Sequence, residues 1–218
     1  MEHRTEEEQV AALKQWWKDN GNSLMIGVGL ALALVFGWKM YQQSVENTKN
    51  AASSLYQQLL EVALEPAEND ESASTVEFIA KKLKTEFEDT EYATYSALFL
   101  AKSAIGKKDL EGAEAELQWI LANNSDSSLI PLVKARLARV LDRQGEQQEA
   151  LALLDAKDAG TYSALYLEVK GDIYYRAGDM DKAKQSYIEA YKAMKASDVQ
   201  RPMLTLKMAD LGISEEDA

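Results

Sequence analysis

The sequence predicts an all-α protein: one membrane-spanning helix near the N-terminus, then a solenoid of stacked helix pairs. Three observations carry that expectation. First, residues 20–38 form an uncharged window of 19 residues. Second, Ala, Leu, Glu, Lys and Gln are abundant, only 3 of 218 residues are proline, and no hairpin turn signal occurs. Third, small and larger apolar residues recur in the same order at three places, the small ones at intervals of 37 and then 33 residues.

The uncharged window comes first. At about 1.5 Å rise per residue its helix covers about 28 Å, close to the hydrocarbon thickness of a bilayer. Trp16 and Trp17 precede it, and Trp38 and Tyr41 close it. Trp17 to Trp38 is about 32 Å along a helix, so aromatics reach both headgroup levels. A removable secretory signal has a short basic start, whereas a mixed and partly acidic leader stands here. Ala31-Leu32-Ala33 imitates a cleavage site but lies inside the apolar run, with Leu34, Val35 and Phe36 still to come. The balance favours a retained anchor over a removed signal or a soluble core helix. The expected segments are a leader at 1–21, an anchor at 22–40, a soluble region at 41–213 and a tail at 214–218. Arg4, Lys14 and Lys18 before the window outnumber Lys39 and Lys49 after it. That margin of one charge leans toward an N-terminus inside and a periplasm-like side for the larger part.

Composition limits the soluble region. Net charge is −12, and residues 39–218 hold 21 basic against 31 acidic side chains. Such a surface repels phosphate backbones, so no nucleic-acid partner is expected. Cysteine is absent, which removes disulfides and thiolate chemistry.

The repeats follow. The last stretch, from Ala164, has markers Gly171, Tyr174, Gly178, Ala183, Tyr187 and Ala190. The middle one has Ala138, Leu141, Gly145, Ala150 and Leu154, and the first has Ala101, Ala104, Lys108, Ala113, Leu117 and Ile120. Two small residues keep a spacing of 12 in every copy: 101 with 113, 138 with 150, 171 with 183. Small residues midway along two antiparallel helices let them approach, and Gly or a polar turn reverses the chain between them. One such pair cannot bury its own apolar face, so several must stack. The units run at about 94–122, 131–157 and 164–195. Upstream, 45–64 and 72–87 form a divergent pair whose register the sequence leaves open. With no Pro- or Gly-rich linker before residue 45, the anchor is expected to run straight into it. Downstream, 201–213 reads as a short amphipathic helix covering the open end of the stack.

These units resemble tetratricopeptide repeats, whose pattern is about 34 residues long. The third fits at most marker positions; the other two are degenerate, with Lys108 where a turn Gly is common. The resemblance implies that the first helix of each pair lines a concave, protein-binding face. That register places Tyr95, Leu98, Lys102 and Ile105 there from one unit, and Leu132, Ala135, Arg139 and Arg143 from the next. Leu165, Glu168, Tyr175 and Arg176 follow from the last. Apolar contacts, Arg forks for carboxylates and rigid Tyr surface suit a peptide. The competing reading is that some of these side chains simply pack on a neighbouring helix. Within the anchor, Gly29, Ala33 and Gly37 form a small-x-x-x-small stripe of the kind that packs another membrane helix.

Chemistry of other kinds finds no support. The lone histidine, His3, stands in the leader, and no dinucleotide, P-loop or nucleophile-elbow string occurs. The carboxylates Glu86, Glu88, Asp89 and Glu91, and Glu68, Asp70 and Glu71, read as solvated helix ends and turns. The expectation is a binding protein without cofactor or metal, not an enzyme.

The order of parts, with "WWKDNG" before the anchor, "GWK" at its end, degenerate repeats and a final helix after "SDVQRP", resembles a family. It is the bacterial inner-membrane family of ancillary Sec translocon subunits. That resemblance implies an N-terminus in the cytoplasm, a periplasmic repeat domain and contact with Sec channel subunits. It also implies action beside a membrane-anchored prolyl-isomerase-type chaperone, passing exported client proteins onward, with a leader free to contact a regulator. The alternative is a membrane-anchored scaffold for envelope-assembly or division proteins.

Overall fold

The computed structural model describes residues 6–64, 70–123, 128–155, 159–197 and 200–214. Nine α-helices and one 3-10 turn account for the secondary structure of the described residues, and no strand occurs among them. The chain divides into two units, Met1–Ala51 and Ala52–Ala218.

The first unit is the greater part of α1 (Glu6–Leu64). From residue 6 to 51 every residue except Gly21 is exposed, including Leu30, Leu34, Phe36 and Trp38. An apolar helix bare on every side is not a core helix of this chain. Among the described residues α1 is the helix long and apolar enough to cross a membrane. It runs unbroken from the acidic Glu6, Glu7 and Glu8 through the apolar window to Leu64. No residue between 20 and 64 is proline, so no backbone N–H is missing from its ladder.

The second unit is built from the end of α1, α2 (Asp70–Glu86), α3 (Glu91–Gly106), α4 (Leu110–Asn123), α5 (Ile130–Gln144) and α6 (Gln147–Ala152), completed by α7 (Ser163–Arg176), α8 (Met180–Ser197) and α9 (Pro202–Asp210). Successive helices pack in order: α2 on α3, α3 on α4, α4 on α5, α7 on α8 and α8 on α9. Ala52 and Leu59 of α1 join Ile79, Ala80 and Leu83 of α2 and Leu100 of α3 in one core. A central core runs from Ala97 to Ile173, and a third gathers Tyr187, Ala190 and Tyr191 with Leu204 and Met208.

The six small residues of the repeat register, Ala101, Ala113, Ala138, Ala150, Gly171 and Ala183, are all buried. At Gly171 the reason is visible. A Cβ there would lie 2.4 Å from Cε1 of Tyr187, so only hydrogen leaves room for that ring. The turn positions of the same register, Lys108, Gly145 and Gly178, are all left-handed, with φ of 62°, 92° and 81°. Each helix ends with the same pair of bonds. Lys108 N–H reaches Ile105 O and Asp109 N–H reaches Ala104 O; Gly178 and Asp179 reach Tyr175 and Tyr174 likewise. Asp109 and Asp179 then cap the helices that follow, accepting from Gly112 N–H at 2.9 Å and Lys182 N–H at 3.2 Å.

In the middle repeat the second helix, α6, has only 6 residues and stops at Ala152. The chain tightens at Leu154, whose N–H bonds Leu151 O at 3.2 Å, and the Leu154 side chain enters the core. The link onward passes through a 3-10 turn, Gly160–Tyr162.

Candidate protein-binding groove

The repeat unit holds a cavity of about 720 Å³ along the first helices of its pairs. The end of α1 contributes Tyr56. Helix α3 presents Tyr95, Leu98, Phe99, Lys102 and Ile105; α5 presents Arg136, Arg139, Val140 and Arg143; α7 presents Asp172, Ile173 and Arg176. The spacing of three, four and seven residues puts each set on one helix face. The α1 end of the cavity is aromatic. The Tyr56 ring lies 5.7 Å from Tyr95 and 5.4 Å from Tyr92, and meets Phe99 edge-on at 6.4 Å. Burial and then the neighbouring Tyr95 and Tyr92 push the Tyr56 hydroxyl above its ordinary range.

The α5–α7 end is cationic. Asp142 and Asp172 are already engaged: Arg176 donates to Asp142 Oδ2, and Arg139 stands 3.8 Å from Asp172. Lys102, Arg136 and Arg143 form no ion pair among the described residues, although Arg143 acts on the Asp142 carboxylate through space, so the cavity keeps an excess of positive charge. Asp142 is 5% exposed, and its Oδ1 accepts no hydrogen bond among the described residues. Burial raises its carboxyl above the usual range, more than Arg176 lowers it.

Of the residues that the repeat register placed on the concave face, Tyr95, Leu98, Lys102, Ile105, Arg139, Arg143 and Arg176 are brought together here. Leu165 and Ala135 are not: both are buried, Leu165 in the central core, and Leu132 packs against the same core. Glu168 is also withdrawn from the face. It is 3% exposed and receives Arg201 Nε at 2.6 Å and Lys207 Nζ at 2.7 Å from the last helix region. Burial pulls that carboxyl up, but Lys207 and Arg201 together outweigh it and hold it below the ordinary range. Tyr175 is exposed and lines an adjoining concavity with Tyr187, Lys207 and Asp210, which shares Asp172 and Arg176 with the groove. On α7 the groove edge is set by Arg176, which the register named, and by Asp172 and Ile173, which it did not. The repeat register did not place Arg136 on the concave face, although the sequence shows it with Lys134, Arg139 and Arg143 as a run of positive charge on one helix. Tyr56 and Phe99 had no such signal, since the register of the first pair needs the packing. Gly29, Ala33 and Gly37 lie on the bare part of α1, and a Cβ on Gly29 or Gly37 would meet nothing within 4 Å.

Comparison with known proteins bears on both parts of the chain. It is 29% identical to a protein of Haemophilus influenzae named ancillary SecYEG translocon subunit, over 94% of this chain and 97% of that protein. A protein of that name from Escherichia coli is 29% identical over 97% and 98%. One from Neisseria gonorrhoeae is 27% identical over 96% and 98%. These relatives carry the family name that the order of parts suggested. No solved structure matches the chain. The family described as tetratricopeptide repeat-like domain matches residues 14–213, from before the apolar window to past α9, and the chain belongs to that family.

Proposed function

We propose that this protein is a membrane-anchored adaptor of the Sec translocon. The apolar part of α1 tethers it, and the groove of the repeat unit engages other proteins, helping to transfer exported chains to periplasmic chaperones. The observation that carries this reading is the end-to-end likeness to ancillary SecYEG translocon subunits, over 97% and 98% of their lengths, anchor region included. The partners are Sec channel subunits, a membrane-anchored prolyl-isomerase-type chaperone and exported clients. The protein works by binding alone. The N-terminus lies in the cytoplasm and the repeat unit in the periplasm of the bacterial inner membrane, as the three-to-two excess of basic residues before the window favours. Gly29, Ala33 and Gly37 form the face toward another membrane helix.

The test is isolation of the full-length protein from membranes in mild detergent, with identification of what accompanies it. Sec channel subunits and a periplasmic chaperone are expected, and they should fade when Gly29, Ala33 and Gly37 are all changed to Leu. Division or envelope-assembly proteins in their place would replace this reading by that of a scaffold. Topology is read separately, because the chain lacks cysteine. A Gln148→Cys variant should react with a membrane-impermeant maleimide added outside the inner membrane, and a Gln9→Cys variant should not. The reverse pattern would overturn the orientation.

A further inference from the structure

We infer that the groove is selective: it receives an acidic protein segment that also carries an aromatic or large aliphatic side chain. This rests on the adaptor reading above and names the class of partner. The evidence is a partition of charge and of residue type. Residues 39–218 hold an excess of acidic side chains, yet the cavity gathers Lys102, Arg136, Arg139, Arg143 and Arg176 against two carboxylates. The chain has 6 arginines, and four of the five beyond residue 39 line this one cavity, while lysine serves the rest of the surface. Arginine's planar fork matches a carboxylate with two parallel hydrogen bonds, which lysine cannot offer. The cations that are unpaired there stand on an otherwise acid-rich chain, so a carboxylate partner is attracted to the groove and repelled elsewhere.

One further feature fits a peptide. The rings of Tyr56, Tyr95 and Phe99 form an apolar seat at the opposite end. A bound segment thus lies with its carboxylates toward α5 and α7 and its apolar side chain toward α1 and α3.

The experiment uses the full chain in detergent and fluorescence anisotropy. The probe is a labelled peptide, Trp-Ser-Leu-Gly-Glu-Asp-Glu-Asp, set beside its Gln/Asn counterpart, a version with Gly for Trp and Leu, and a short oligo-dT. The acidic, Trp-bearing peptide should bind at least about tenfold tighter than either altered peptide. Its binding should weaken several-fold as salt is raised and the Arg–carboxylate attraction is screened. Arg136→Gln with Arg143→Gln should remove the preference for acid, whereas Lys184→Gln with Lys192→Gln, equal in charge but on α8, should leave it. Tyr95→Ala should weaken both the acidic and the amide peptide. Unchanged thermal melts keep these results from being read as unfolding. Equal binding of the amide peptide, or no effect of the α5 pair, would overturn the inference, and tighter binding of the oligonucleotide would replace it by general polyanion binding. Co-isolation of Sec subunits with the α5 variant reports on the translocon reading independently. Equal binding of the acidic and amide peptides by the native chain, with Sec subunits still accompanying it, sinks only the selectivity.

Discussion

Gly171 and Tyr187 meet between the two helices of the last repeat, and they make a prediction at the scale of one methyl group. Gly171→Ala forces the ring of Tyr187 away, a ring 3% exposed whose hydroxyl donates to Asp172 Oδ1 at 2.9 Å. Overpacking of this kind costs about 1–3 kcal/mol, so the denaturant midpoint should fall with little change in slope. A second residue points the other way. Lys108 is the one non-glycine with positive φ among the described residues, at a turn where the other two repeats have Gly145 and Gly178. Left-handed backbone costs an ordinary residue about 1–2 kcal/mol, and glycine returns part of that as chain entropy. Lys108→Gly should therefore stabilise the repeat unit by about 0.5–1 kcal/mol in the same unfolding measurement.

At the scale of the element, α9 decides where the groove ends. Leu204 and Met208 seat it on the α8 core, while Arg201 and Lys207 reach α7 and take Glu168 out of the concave face. Lys207 also bonds Asp172 Oδ2 at 2.8 Å, which links the end-covering helix to the groove wall. Breaking a buried ion pair leaves a bare charge, and losing both cations does so completely. Arg201→Ala with Lys207→Ala should cost about 3 kcal/mol and raise hydrogen exchange across residues 202–210 before the rest of the stack opens. Exchange that stays even across all helices would show instead that the apolar seat of α9 suffices.

At the scale of the whole molecule, acid stability follows from the pairs that hold separate helices together. Glu77 of α2 receives Lys107 beside α3 as well as Lys81, and hydrogen bonds from Lys107 first and Lys81 second lower its carboxyl from 4.5 to about 2. Glu168 is lowered too, against its burial. A carboxyl whose folded value is depressed contributes stability that is present above its unfolded value, and loses it as pH falls through the folded value. The contribution of Glu77 is therefore intact above 4.5 and disappears toward about 2. Asp142 runs the opposite way: raised by burial, it is destabilising when ionised and eases as it protonates. Unfolding followed from pH 6 to 2 should show a net loss beginning below about 4.5, and Glu77→Gln should flatten it. A flat profile in the native chain would mean that these exposed and half-exposed pairs are screened to nothing.

The sequence by itself determined the helix class, the apolar window and the repeat register, because those depend on local spacing. Small residues 12 apart, a turn residue between them and charges missing over 19 positions are readable along the chain. It also announced Arg139 and Arg143, since long cations on a core-facing helix have few places to go. Only the tertiary structure decided which face of each helix meets the groove. Leu165 and Asp172 stand seven residues apart on nearly one face of α7. Yet Leu165 is buried in the core while Asp172, with Ile173, lines the groove, because the packing differs from one turn of the helix to the next. The same holds for Tyr56, which enters the site because the end of α1 packs across α3, and for Glu168, which leaves it because α9 supplies two cations. Contacts between residues about 35 positions apart carry no periodic signal. They are set by how far one helix pair rotates on the next, a balance of side-chain volumes that no short stretch of sequence contains.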